Sequence, residues 1–384
     1  MNRTLTVILA VVAVALTAAA GVLLAVFVFP PLETPVGDLA LETVYEGLNT
    51  PVAFAFAPDG RLFYNELQAG GIRIIKDGSV LATPFVSLSV VGRNELGLLG
   101  LALDPDFATA PFVYVFYSYQ DVGGTFNRIS RFPADGDVAG PEEILLDRLP
   151  SNSFHNSGRL GFGPDGFLYA SLGDTADAAQ SQDPQTLPGS ILRMRRDGSL
   201  PGDNPFPTSY AYLHGIRNVF GFDFAPDGTL FFTENGPFGN DEVNLGLRGE
   251  NYGWPVVQGA DPDPRFVPPL AAFTPAIAPT GLGFYTGDRL GPAHTQLPYF
   301  GSWNFGRLYR LVENASADQG YSVQLVLDLG LGGVLDVVNG PDGYLYLSFP
   351  DRIARLILEP VSSMTPALDA WALAARTAPI SRPT

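Results

Sequence analysis

The chain has 384 residues, a net charge of −17 and no cysteine; only 16% of its residues are charged, while Gly (43), Pro (34), Phe (27) and Tyr (15) are plentiful. An acidic surface repels polyphosphate, which excludes nucleic acid as a partner, and the lack of thiols excludes disulfides, thiol catalysis, Fe–S clusters and Cys-based zinc sites. Short aromatic-rich strands broken by turns fit this composition better than long solvated helices, so the predicted class is all-β.

After Arg3, residues 5–29 carry no charge and stop at Pro30 and Pro31. That run matches the roughly 20 apolar residues of a membrane-spanning helix, and residues 1–30 are predicted to be an uncleaved signal anchor. A signal peptide cut near Ala18-Ala19-Ala20 is the alternative, although it would leave an apolar new terminus at residues 22–29. Arg3 is the single charge before the span. The positive-inside tendency therefore places the rest of the chain outside the cytoplasm, periplasmic or extracellular, and secreted if the segment is cleaved. Residues 31–40, rich in proline, read as a stiff linker.

Beyond the linker the chain repeats itself. Phe56-Ala57-Pro58-Asp59-Gly60-Arg61-Leu62-Phe63-Tyr64 returns as Phe162-Gly163-Pro164-Asp165-Gly166-Phe167-Leu168-Tyr169, as Phe224-Ala225-Pro226-Asp227-Gly228-Thr229-Leu230-Phe231-Phe232 and as Asn339-Gly340-Pro341-Asp342-Gly343-Tyr344-Leu345-Tyr346. A degenerate copy, Leu103-Asp104-Pro105-Asp106-Phe107, precedes another aromatic run at residues 112–117. Proline presets φ, aspartate bonds its own backbone and glycine accepts positive φ, so each copy predicts a turn leading into a strand. The gap between Pro226 and Pro341 is long enough for two units, and a disguised one is expected near residues 281–311. Six units over residues 41–360 make a six-bladed β-propeller the predicted fold, with a β-sandwich carrying a coincidental turn motif as the alternative. Residues 361–384 read as a tail.

Function belongs in the loops that break the repeat, here residues 151–159, 175–206 and 236–255. The first holds His155 beside Asn156 and Arg159, and an imidazole can take a proton from a substrate hydroxyl at neutral pH. A structural histidine is the plainer reading, and His214 and His294 are weaker candidates. Arg217-Asn218 offers a permanent cation and an amide donor for an oxyanion or quinone carbonyl, or a simple pairing with a nearby acid. Carboxylates and amides mixed with Gly and Pro at residues 233–244, continuing to Asn251-Tyr252-Gly253-Trp254-Pro255, are hard oxygen ligands of the kind calcium takes, or an ordinary polar loop.

Taken in order, these motifs resemble the glucose/sorbosone dehydrogenase family, six-bladed quinoprotein sugar dehydrogenases that use pyrroloquinoline quinone (PQQ) and Ca²⁺. The resemblance spans about residues 41–358, through Glu95-Leu96-Gly97-Leu98-Leu99-Gly100, His155-Asn156-Ser157-Gly158-Arg159-Leu160, His214-Gly215-Ile216-Arg217-Asn218, Asn235-Gly236-Pro237 and Asn251-Tyr252-Gly253-Trp254-Pro255. It implies that His155 is the general base removing the sugar hydroxyl proton as hydride passes to the quinone. Arg217 and Asn218 would polarise the quinone oxygen, and Glu95 and Asn304 would contact the cofactor. Gly236, Pro237, Asp241, Glu242 and Tyr252 would hold calcium. Three positions depart from the family pattern: Trp303-Asn304 follows Gly301-Ser302 where a Lys or Arg is usual, Val334-Leu335 stands where arginines precede Asp336-Val337, and Thr274 replaces an aromatic. Arg307 and Arg310 are the nearest cations in sequence to make up the loss. The expected activity is PQQ- and calcium-dependent oxidation of an aldose or related sugar, with the electron acceptor unspecified. A non-catalytic, calcium-stabilised propeller binding carbohydrate or protein is the alternative.

Overall fold

The computed structural model describes residues 35–330 and 332–359. Each Pro-Asp-Gly segment forms the turn its chemistry dictates. Asp59, Asp165, Asp227 and Asp342 accept the backbone N–H two residues on, at 3.1, 3.2, 2.9 and 3.3 Å. The following glycines, Gly60, Gly166, Gly228 and Gly343, take φ between 76° and 91°, where a side chain is strained.

These turns join the innermost strand of a blade to its second strand: Phe54–Phe56 to Leu62–Asn65, Ser157–Phe162 to Leu168–Leu172, Gly221–Phe224 to Leu230–Glu234, and Asp336–Asn339 to Leu345–Ser348. The degenerate copy does the same for Leu98–Leu103 and Phe112–Asp121. The disguised unit also exists, with Pro279–Tyr285 paired to Leu297–Ser302 across a longer connection closed by the Gln296 N–H on the Tyr285 carbonyl, 2.7 Å. The result is six antiparallel sheets, numbered here as blades 1 to 6 in the chain order of their innermost strands. Because each blade is packed on both faces, its strands read as continuous apolar runs; Val113, Val115, Phe63, Ile72 and Ile74 of blades 1 and 2 share one buried cluster.

Chain order conceals how the ring closes. Leu39–Glu46 precedes blade 1 in sequence but pairs with Arg352–Leu358 as the outermost strand of blade 6. Arg355 then ties Glu42 (2.7 Å) to Asp342 (3.0 Å), and His294 Nε2 meets Asp38 Oδ2 at 2.9 Å. Both blade 6 and the ring therefore depend on the first strand.

Six small polar residues, one on each second strand, are fully buried: Asn65, Ser118, Ser171, Thr233, Ser302 and Ser348. Several stitch one blade to the next, as when Asn65 Nδ2 donates to the Leu98 carbonyl (2.7 Å) and Thr233 Oγ1 to the Thr280 carbonyl (2.8 Å). A buried donor or acceptor must be satisfied, so these bonds fix the ends of the innermost strands from which the site loops spring.

Two segments expected as loops contain strands, Ser190–Met194 within residues 175–206 and Asp241–Gly246 within 236–255, and His214 ends the strand Ala211–His214. Dense Gly, Pro and Asp on either side hide these short runs, and pairing with a neighbouring strand overrides that local signal. The predicted membrane segment and the tail from residue 360 lie outside the described residues; among the described residues no helix is long and apolar enough to cross a membrane.

Candidate active site

His155 and Ser157 hold φ of 60° and 56°, a region that non-glycine residues occupy only where their surroundings compel it. The compulsion is visible. Glu95 Oε2 accepts the His155 N–H at 2.6 Å, and the Ser157 N–H and hydroxyl both donate to Asn218 Oδ1, at 3.2 and 3.1 Å. His155 Nδ1 lies 2.7 Å from Asp174 Oδ1. Asp174 also accepts the Ala176 N–H (2.8 Å) and the Trp254 indole N–H (2.9 Å), and its side chain is only 2% exposed. A carboxylate surrounded by donors is an acceptor, so the Nδ1 proton belongs to His155 and the lone pair of Nε2 is left to act as a base.

Arg217 and Asn218 come from the next connection, between blades 3 and 4. Asn218 Nδ2 reaches Glu95 Oε2 at 3.3 Å, so Asn218 and His155 share one carboxylate. Arg217 donates to the carbonyls of Asn235 (2.8 Å) and Gly236 (3.0 Å), and its guanidinium lies 5.4 Å from the Trp254 ring centroid. Burial pulls its pKa below the ordinary arginine value, against the opposing charges of Asp174, Glu234 and Glu95. Gly173 makes this convergence possible: a Cβ there would sit 2.2 Å from the His155 carbonyl oxygen and 3.0 Å from that of Arg217.

Beside these residues the channel opens as a cavity of about 370 Å³, with Glu95, Asn235, Phe220, Arg159, Trp303 and Leu335 in its wall. Arg159 also lines the cavity at the opposite end of the channel and is bound there to Asp336 at 2.8 Å, both side chains nearly buried. Burial raises the Asp336 carboxyl despite that partner. The apolar departures at positions 303 and 335 thus face the cavity. Arg307 and Arg310 do not replace them: Arg307 pairs with Asp328 (3.0 Å), and Arg310 is buried against His294 (2.8 Å) and Gln324 (2.9 Å).

A second, much smaller pocket adjoins Arg217. Its wall includes Glu234, Gly236, Pro237, Glu242, Tyr252 and Trp254, and its free volume of about 10 Å³ is near that of one water-sized sphere. Glu234 and Glu242 are register partners on adjacent strands, 6% and 8% exposed. Burial, then the charge of Glu242, pushes Glu234 well above the usual carboxylate range, and burial pushes Glu242 up to about 7. Two facing buried carboxylates are the electrostatic setting a divalent ion relieves. Among the described residues, no group of three or more His, Cys, Asp or Glu gathers as a metal cage.

Most of the residues singled out from sequence converge. Glu95 bonds both His155 and Asn218, and Arg217 joins them through Asp174, which bonds His155 and whose N–H donates to the Arg217 carbonyl (2.8 Å). Gly236, Pro237, Glu242 and Tyr252 share one pocket. Asp241 stands apart, its carboxylate accepting the N–H groups of Gly236 (2.8 Å) and Ala278 (2.7 Å). Asn304 is exposed and donates to the Ala276 carbonyl at 3.0 Å, while its neighbour Trp303 reaches the cavity. Sequence reasoning gave no individual role to Asp174 or Trp254, and took Glu234 only as part of the stretch 233–244 of candidate calcium ligands. The signal was present for the two acids, each at or just past the end of a fully buried second strand, where a charge needs a partner.

Against known proteins, a family model described as Glucose / Sorbosone dehydrogenase matches residues 48–358. The aldose sugar dehydrogenase YliI of Escherichia coli is 29% identical over 344 residues, covering 83% of this chain and 91% of that protein. Quinoprotein glucose dehydrogenase B of Acinetobacter calcoaceticus is 32% identical over 257 residues, covering 58% of this chain and 53% of that protein. The PQQ-bound aldose sugar dehydrogenase of Streptomyces coelicolor superposes with a TM-score of 0.73 at 30% identity, covering 85% of this chain and all of that one.

Proposed function

This chain belongs to the glucose/sorbosone dehydrogenase family, and from that membership we propose that it is a PQQ-dependent oxidoreductase acting on the CH–OH group of an aldose or related sugar, with calcium as a second cofactor. The observation that carries the reading is the His155–Asp174 pair, held 2.7 Å apart, with the His155 backbone bonded to Glu95 in the wall of an open cavity.

The residues present fit the quinone. Among the described residues Arg217 Nε is buried without a partner, an unspent donor on a side chain bonded to Asn235 of the cavity wall, and Arg159 puts a guanidinium in that wall itself. Arg217, Asn218 and Glu95 would hold the group at the end nearest His155, with Trp303 as an apolar wall. PQQ, when bound, supplies the acceptor for the two electrons and the hydrogen that leave the sugar carbon. His155 Nε2 takes the hydroxyl proton, and Asp174 keeps Nδ1 protonated and stabilises the imidazolium that results. Arg217 and Asn218 favour negative charge developing within hydrogen-bond reach, and burial strengthens that attraction. Glu234 and Glu242, with Gly236, Pro237 and Tyr252, are the oxygen donors for calcium.

The test is to reconstitute purified protein with PQQ and Ca²⁺ and follow sugar-dependent dye reduction across an aldose panel, with His155→Gln as control. Turnover lost in the variant supports the reading; no turnover and no change in quinone absorbance on adding sugar defeats it. The apolar walls at Trp303 and Leu335 favour a second reading, a calcium-stabilised propeller that binds glycan without turnover. Calorimetry separates the two, because micromolar or tighter PQQ binding speaks against the second.

We also propose that residues 1–30 anchor the protein in a membrane with the propeller outside the cytoplasm, a reading supported by the uncharged run at residues 5–29. Extraction from membranes by alkaline carbonate would contradict it.

A further inference from the structure

We propose that Trp254 is a positioning residue for the base: its indole N–H fixes the far oxygen of Asp174 while its ring carries the Arg217 guanidinium, so one side chain sets the proton acceptor and the cation together. The inference rests on the oxidoreductase reading for its kinetic part and on geometry alone for the rest.

Asp174 Oδ1 bonds His155 Nδ1 at 2.7 Å, and Oδ2 accepts Trp254 Nε1 at 2.9 Å. With the Ala176 N–H on Oδ1 at 2.8 Å, the carboxylate is held at both oxygens and cannot rotate about its terminal torsion without breaking a bond. That torsion is otherwise soft. Trp254 is itself anchored: its own N–H bonds the Gly215 carbonyl (2.8 Å), and its carbonyl accepts Gln182 Nε2 (2.7 Å). The indole therefore transmits a fixed backbone position to the imidazole through one carboxylate. The charged neighbours of the base are Asp174 at its ring, Glu95 at its backbone N–H, and Arg217, whose guanidinium lies over the same indole at 5.4 Å.

The experiment compares Trp254→Phe, Asp174→Asn and the double variant. Phenylalanine keeps an aromatic ring on the Arg217 side and removes the N–H donor. Hydrogen-bonded groups that orient a functional side chain typically cost about 10–100-fold when removed, and Trp254→Phe, acting through Asp174, is expected to lower kcat about tenfold with little change in KM. Because its effect passes through Asp174, the double variant should be no slower than Asp174→Asn alone. With only three histidines in the chain, the His155 Nδ1–H resonance is assignable by its loss in His155→Gln. Its solvent exchange should be at least about tenfold faster in Trp254→Phe, in proportion to the activity loss. Exchange equal to wild type, or losses that simply multiply in the double variant, would overturn the proposal. If exchange accelerates as expected but wild-type protein oxidises no sugar, the positioning role stands and the oxidoreductase reading falls.

Discussion

Replacing Glu242 with glutamine tests the small acidic pocket most directly. Glu234 and Glu242 face each other across adjacent strands, where opposed Cβ atoms lie about 5 Å apart. Two charges at that separation repel by about 3 kcal/mol at an effective dielectric near 20. Burial is the main cause of the rise of the Glu242 carboxyl from its ordinary 4.5 to about 7, which corresponds to about 3 kcal/mol. Both carboxyls titrate higher in the native state than in the unfolded chain, so the native state binds more protons between about pH 4.5 and 7. These groups therefore leave metal-free protein most stable below that window, and stability is lost as pH rises through it. Calcium should reverse the loss at about pH 8 and do little at about pH 5, where the site is protonated. For a domain of this size about 3 kcal/mol moves Tm by about 4 °C. Glu242→Gln keeps the fold because the Asn244 amide, whose Oδ1 has no partner among the described residues, can turn to meet the new NH₂ group. In EGTA at about pH 8 the variant should melt roughly 4 °C above wild type, and calcium should no longer stabilise it. Scanning calorimetry with and without calcium at the two pH values decides. Equal calcium stabilisation at both, or in the variant, would refute the reasoning.

Asp174→Asn should cut kcat by about 10²–10⁴-fold while the protein still binds PQQ in calorimetry, because the amide no longer secures the Nδ1–H tautomer. Gly173→Ala drives a methyl to within 2.2 Å of the His155 carbonyl oxygen. The expected result is about 10²-fold lower kcat/KM and a lower melting temperature, since a displacement near 1 Å at the site costs that much in rate. Leu335→Arg places a cation on the cavity wall; one charge-assisted hydrogen bond is worth about 1.5–3 kcal/mol, so titration calorimetry should record PQQ binding at least about tenfold tighter. Unchanged affinity there would show that the wall at this position does not meet the quinone.

What the sequence determines here is local and periodic. The Pro-Asp-Gly turns set their own geometry through aspartate and glycine, and their spacing counts six blades even where the fifth unit has lost the motif. His155, Arg217 and Asn218 are legible because each is a polar residue just before an innermost strand of a repeat whose interior is otherwise apolar. Contacts between distant loops are not carried by any one segment, and these the tertiary structure decides. It puts Leu39–Glu46 in the last blade, brings Trp254 from the blade 4 loop to Asp174 of blade 3, and sets Glu234 against Glu242. It also turns Arg310 into the interior of blade 5 and leaves Arg159 as the guanidinium in the cavity wall. Turn chemistry acts over a few residues and can be read along the chain; a buried charge is defined by what surrounds it, and that exists only once the six blades have closed.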